Sequence, residues 1–224
     1  DNDGNLDLFV ATYGGAKQTA DVASVAASYL GLPHAAELDH LFRGDGKGGF
    51  KEVGSKLGMT KVTLPMGANF GDLDNDGRLD LYLGTGTPSF ESLFPNKMYR
   101  NVDGERFVDV TYSGGFGHLQ KGHGVAFADL DHDGDQDVYI VMGGAFEGDV
   151  FRNALFENPG FGSRWITLRL EGVRSNRAAI GARVRVTIAE ADTMRTVYTM
   201  VSSGGSFGAT TFRRDIGLGR AERI

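Results

Sequence analysis

The chain has no cysteine, only 5 prolines and a single tryptophan in 224 residues. Without cysteine there are no disulfides, no thiolate metal sites and no cysteine nucleophile; the compartment stays open, because secreted bacterial proteins often manage without disulfides. No stretch approaches the roughly 18 consecutive apolar residues of a membrane-spanning helix, so membrane insertion is not expected. Glycine, by contrast, occurs 34 times, about twice its average share. Inside a helix it costs up to about 1 kcal/mol relative to alanine, so the composition points to short strands joined by many turns. With 41 % hydrophobic and 23 % charged residues, a packed core is expected rather than global disorder.

Lysine is missing from residue 163 onward, where eleven arginines face five acidic residues, a balance of +6. Residues 1–162 hold 12 basic and 24 acidic residues, a balance of −12. The arginines are spread along alternating segments, without a clustered basic stripe or an aromatic platform, so nucleic acid is not an expected partner. Solvation, or pairing with the acidic part, is the simpler reading of them.

An internal repeat organises the acidic part. Asp72-Leu73-Asp74-Asn75-Asp76-Gly77-Arg78-Leu79-Asp80 runs into Leu81-Tyr82-Leu83-Gly84, and Asp129-Leu130-Asp131-His132-Asp133-Gly134-Asp135-Gln136-Asp137 runs into Val138-Tyr139-Ile140-Val141. Asp1-Asn2-Asp3-Gly4-Asn5-Leu6-Asp7 reads as the end of a third copy, whose first aspartate would lie ahead of residue 1. Gly67 to Gly71 and Gly124 to Ala128 precede the complete copies, and the segment Leu41 to Val53 is echoed by Met98 to Val110. Their Asp45-Gly46 and Asp103-Gly104 pairs suit tight hairpins. The first spacing between copies exceeds the second by 16 residues, which a short helix over Asp21 to Leu30 accounts for, with Val22, Val25, Ala26 and Tyr29 at helical spacing. Repeats of several short strands suggest propeller blades or another array, since one unit cannot bury its own apolar face.

A turn-rich segment, Asn158-Pro159-Gly160-Phe161-Gly162, reads as the domain boundary. After it, Ile166, Leu168 and Leu170 alternate with polar residues, as do Val184, Val186 and Ile188, and Met194 to Val201 continues the strand reading. The expected fold is therefore all-β: a repeat array over 1–160, which the family resemblance given below makes an incomplete propeller, and a small antiparallel β domain over 161–224.

Aspartates at loop positions one, three, five and nine, with glycine sixth, bring carboxylates to one point, and the seventh carbonyl adds another oxygen. Calcium takes six to eight such hard oxygens, whereas zinc or copper prefers nitrogen or sulfur. An EF-hand would need a glutamate twelfth between two helices; here Leu83 and Ile140 stand there, inside apolar runs. The candidate ligands are Asp72, Asp74, Asp76, Asp80 and the Arg78 carbonyl in one loop, and Asp129, Asp131, Asp133, Asp137 and the Asp135 carbonyl in another. Asp1, Asp3 and Asp7 with the Asn5 carbonyl form an incomplete third.

These blocks resemble the FG-GAP/VCBS repeat, the calcium-loop repeat of integrin α-chain propellers and many bacterial extracellular proteins. The segments Arg164 to Gly172, Ser175 to Val184 and Gly217-Leu218-Gly219 are similar to the ASPIC/UnbV domain that follows such repeats in cartilage-acidic-protein-like proteins. The resemblance implies an extracellular or periplasmic propeller with a C-terminal β domain, and no known reaction. The family's propeller has more blades than three loops supply, so the chain is expected to be a fragment, and the lack of a signal peptide carries no information.

Gly204-Gly205-Ser206-Phe207-Gly208 matches a nucleophile elbow, which needs a helix after it and a histidine downstream. The last histidine is His132 and no helical periodicity follows, so the motif reads as a glycine-rich loop and the chain as non-catalytic. The expected function is a calcium-binding extracellular binding or adhesion module for a protein or glycan ligand. The alternative is a propeller-based carbohydrate-active enzyme or carbohydrate-binding protein.

Overall fold

The computed structural model describes residues 1–14, 22–191, 193–204, 207 and 210–224. The fold is all-β, in five small antiparallel sheets with no closed barrel among the described residues. The first sheet joins β1 (Leu8–Val10), β2 (His40–Gly44) and β3 (Phe50–Glu52) in that order. The second runs β4 (Pro65–Gly71), β5 (Asp80–Thr85), β6 (Lys97–Val102) and β7 (Arg106–Asp109), and the third β8 (Gly122–Ala128), β9 (Asp137–Met142) and β10 (Ala154–Phe156). Each acidic loop leads directly into β1, β5 or β9. The β6–β7 hairpin turns through Asp103 and Gly104 at φ 58° and 70°, the left-handed region that the Asp-Gly pair tolerates.

These three sheets stack face to face like consecutive propeller blades, and β5 shows why. Alternate residues of a strand point to opposite faces. Leu81 and Leu83 pack with Leu41, Val53 and Ala68 between the first and second sheets, while Tyr82 packs with Val125, Phe127 and Ile140 between the second and third. Every residue of β5 is buried, so the sequence reads there as an unbroken apolar run instead of an alternating one. Burying each such side chain contributes about 1.5–3 kcal/mol. The neighbouring strands β4 and β8 approach so closely that a Cβ on Gly67 would overlap the His123 carbonyl, and the Asn69 side chain donates to the Val125 carbonyl at 3.0 Å.

The helix α1 (Val22–Leu30) lies between β1 and β2 in the chain, and packs Val25 against Val62, Leu64 and Phe94; Asp21 falls outside the described residues. The C-terminal part pairs β11 (Arg164–Leu168) with β14 (Arg214–Gly219), and β12 (Arg183–Glu190) with β13 (Thr193–Met200). Its core is Ile188, Val197, Ile216 and Leu218, with Ile166, Leu168, Val184 and Val186 packed against it, the apolar faces that the period-two pattern marks out.

Candidate metal centre

The three acidic loops share one backbone design. The fourth residues, Asn2, Asn75 and His132, have φ of 59°, 53° and 67°, and the sixth, Gly4, Gly77 and Gly134, have 90°, 86° and 96°. Two left-handed positions bracketing the fifth residue curl the chain, and asparagine and glycine are the residues that adopt them at least cost. The fifth carboxylate accepts the backbone N–H of the seventh residue in every copy: Asp3 from Asn5 at 2.8 Å, Asp76 from Arg78 at 2.7 Å, Asp133 from Asp135 at 2.9 Å.

In the second loop, Asp72, Asp74 and Asp80 each bring a carboxylate oxygen within 4.8 Å of the others, all three residues buried. Asp76 lies outside that triad. In the third loop the group is Asp129, Asp131 and Asp133, the first buried and the other two exposed, with the fifth position in place of the ninth, so that Asp137 lies outside it. Asp1, Asp3 and Asp7 are exposed and form no such triad; Asp1 faces the Arg43 guanidinium at 2.8 Å.

Burial and mutual repulsion govern the second loop. Asp72 is pushed well above the ordinary carboxylate range, first by burial and then by the charges of Asp76, Asp80 and Asp74. Asp80 is pushed up to about 7 by burial, against the pull of the Asn101 and Leu73 backbone N–H groups. Burial and Asp74 also raise Asp76. One cation relieves the cluster in part, as Arg100 meets Asp74 at 2.5 Å. In the third loop Arg213 holds Asp129 Oδ2 at 2.9 Å, yet Asp129 Oδ1 is buried without any partner. An unpaired buried carboxylate oxygen is costly. The donors in both triads are carboxylate oxygens alone, the hard set that suits a calcium-sized divalent cation and not zinc or copper.

The ninth aspartate fixes each loop to its sheet. Asp80 accepts from Leu73 N and Asn101 N, each at 2.7 Å; Asp137 accepts from Leu130 N at 3.0 Å and Asn158 N at 2.9 Å. Asn101 and Asn158 both stand 21 residues after their aspartate, and both send the side-chain amide back to the eighth carbonyl, Leu79 or Gln136. Asp7 accepts from Gly44 N, 37 residues on, the gap being longer by the same 16 residues that carry α1. Sequence reasoning missed these asparagines. Asn101 follows Arg100 within the repeated companion block, a signal that could have found it, while Asn158 reads as part of the boundary turn although it closes the third loop.

The C-terminal sheets sit on the loops. Tyr198 N donates to Asn2 Oδ1 at 2.8 Å and Arg183 to the Gly4 carbonyl at 2.5 Å. Gly219 N donates to the Asn75 carbonyl at 2.8 Å, and a Cβ on Gly77 would meet Val197 at 2.7 Å. The Trp165 ring lies against Gly134, and Arg213 bonds both Asp129 and His132. Beside the second loop, a cavity of about 900 Å³ is lined by Arg78, Arg100, Arg195, Arg220, Phe116 and Phe161 among others. Ser206, Gly205 and Gly208 of the elbow-like motif fall outside the described residues.

Residues 1–83 match the family model of the FG-GAP-like repeat, and residues 172–224 match that of ASPIC and UnbV. The third loop lies beyond the first match but repeats the aspartates at positions one, three, five and nine and the glycine sixth. Comparison with curated proteins returns no match. The chain thus carries an FG-GAP-like repeat region followed by a C-terminal ASPIC and UnbV domain.

Proposed function

We propose that the chain is a calcium-stabilised, non-catalytic binding or adhesion module that works outside the cell or in the periplasm. The observation that carries this reading is the buried carboxylate chemistry of the loops, above all the unpartnered Asp129 Oδ1 within the triad of Asp129, Asp131 and Asp133. Bound calcium supplies a divalent charge that three carboxylates can share. Asp72, Asp74 and Asp80 would hold it in the second loop with Asp76 and the Arg78 carbonyl; Asp129, Asp131 and Asp133 would do so in the third with Asp137 and the Asp135 carbonyl. Asp1, Asp3, Asp7 and the Asn5 carbonyl complete the weakest set, exposed as they are.

Asp80 and Asp137, each bonded to two backbone N–H groups, would tie their loops to β6 at Asn101 and to the segment just after β10 at Asn158. The rigid face so formed is the platform on which β11 to β14 rest. A protein or glycan ligand would find its place in the cavity of about 900 Å³, where four arginines and five acidic residues, Asp74 and Asp76 among them, stand beside the apolar surface of Phe116, Phe156 and Phe161. Affinities between about 10⁻⁶ and 10⁻³ M, from sensor sites to extracellular modules, are expected of these loops. No helix among the described residues is long and apolar enough to cross a membrane. Glycan-array and pull-down screens of the chain, run with calcium and with chelator, test the reading. Calcium-dependent capture of a protein or glycan supports it, and turnover of a captured glycan would replace it with the carbohydrate-active alternative.

A further inference from the structure

We infer that the calcium loops are not independent sites but links of one chain, coupled through the side chain at the fourth loop position. That position supplies no ligand. In the first loop Asn2 Nδ2 donates to the Gly77 carbonyl of the second loop at 2.8 Å. In the second loop Asn75 Nδ2 donates to the Gly134 carbonyl of the third at 2.9 Å, and to Asp135 Oδ1 at 2.6 Å. The same residue of one loop thus grips the same residue of the next, twice in succession. The left-handed φ of 59° and 53° at Asn2 and Asn75 belongs to the loop curl, so the reach of each amide depends on the curl being intact. At the end of the series His132 Nδ1 accepts from Arg213 of the C-terminal domain at 3.1 Å.

What the grip holds explains why it would couple the sites. The carbonyl taken by Asn75 belongs to the peptide unit joining Gly134 to Asp135. The N–H of that unit donates to Asp133 Oδ1 at 2.9 Å, and Asp133 belongs to the third triad. The unit joining Gly77 to Arg78 is held in the same way, by Asn2 at its oxygen and by Asp76 Oδ1 at its N–H, at 2.7 Å. A loop ordered by calcium presents its fourth side chain in place, which sets the peptide that positions a carboxylate in the next loop. Linkage makes the effect reciprocal, so each occupied loop raises the affinity of its neighbour. Asn2 and Asn75 are positioning residues. The coupling rests on the calcium reading above, and its test separates the two.

Trp165, the single tryptophan, lies with its ring against Gly134 of the third loop and reads that loop most directly, while titration calorimetry counts all bound calcium. Calcium is titrated into the chelator-treated full chain with both readouts, for the parent and for Asp74→Asn, which damages only the second loop. Asp74→Asn is expected to move the Trp165-detected midpoint to about 2- to 12-fold higher calcium, the range corresponding to one intramolecular hydrogen bond. In Asn75→Gly, which keeps the left-handed backbone but lacks the amide, Asp74→Asn is expected to move it no further. Asn75→Asp, equal in size and without the donor, repeats the cycle should the glycine variant melt too low. Calcium binding with the Trp165 midpoint unmoved by Asp74→Asn, or moved equally with and without the Asn75 amide, overturns the coupling alone. Absence of heat and of any Trp165 change up to about 10 mM calcium, beyond the range of extracellular modules, overturns the calcium reading and the coupling with it.

Discussion

Replacing Asp80 by asparagine should separate two roles of one carboxylate. Asp80 is 1 % exposed and accepts two backbone N–H groups at 2.7 Å. Burial lifts it from 3.8 to about 7. At about 1.36 kcal/mol per pH unit, holding it ionised at pH 8 costs the calcium-free fold about 4 kcal/mol. Asparagine removes that charge but offers one acceptor where two were used, leaving an N–H and its own amide unpaired at about 1–3 kcal/mol each. The two effects offset, so Asp80→Asn should change calcium-free stability at pH 8 by no more than about 2 kcal/mol, or about 4–8 °C in melting temperature for a chain of this size. With calcium the outcome differs, because the substitution takes a carboxylate from the triad of Asp72, Asp74 and Asp80. A site filled at a hundred times its dissociation constant stabilises by about 2.7 kcal/mol, and its loss should remove about 5–11 °C from the calcium-induced rise. Thermal melts of parent and variant at pH 8, in chelator and in excess calcium, read both numbers. An unchanged calcium-induced rise refutes the ligand role, and a calcium-free loss far above 2 kcal/mol refutes the charge argument.

Further outcomes follow from the same geometry. Because the folded-state values of Asp72, Asp76 and Asp80 are raised, the native chain binds more protons than the unfolded one above about pH 4. Calcium-free stability should therefore fall as pH rises from about 4 through 7, a trend that calcium flattens or reverses; denaturant melts at pH 5 and pH 8 check the sign. Gly217→Ala places a Cβ against the Asp72 carboxylate and the Asn75 backbone, so it should weaken calcium binding in calorimetry while the far-ultraviolet circular dichroism of the whole chain is kept. Asp3→Ala should cost less bound calcium than Asp76→Ala or Asp133→Ala, since the first loop's carboxylates are exposed and gather into no triad; calorimetric titration ranks the three, and Asp3→Ala proving the most damaging would refute the alignment of the first loop.

The loops were legible because their design is local: glycine sixth and aspartates at odd positions specify the curl within nine residues. The apolar faces of Val184, Val186 and Ile188 were equally legible, since period two survives wherever one face meets a core. Asn101 and Asn158 were not, because each acts on an aspartate 21 residues back across two strands, a distance at which spacing says nothing about contact. The roles of Asn2 and Asn75 lie further still, 75 and 59 residues from the carbonyls they grip. Nor does any periodicity report which face of one module another covers, so Trp165 reads as a strand residue although its ring rests on Gly134. The arginine-rich C-terminal part reads as plain solvation or acidic pairing, and Arg213 beside Asp129 is where the pairing is realised across the two parts.

The most direct test of the central claim is the melting temperature of the unmodified chain at pH 8 as calcium is raised from chelator to about 10 mM, a range that spans sensor and extracellular affinities. Preferential binding to the folded form predicts a melting temperature that climbs with the logarithm of calcium once the sites begin to fill, and that magnesium reproduces poorly because it demands a tighter octahedral shell. A melting temperature that stays flat across the whole range would contradict it.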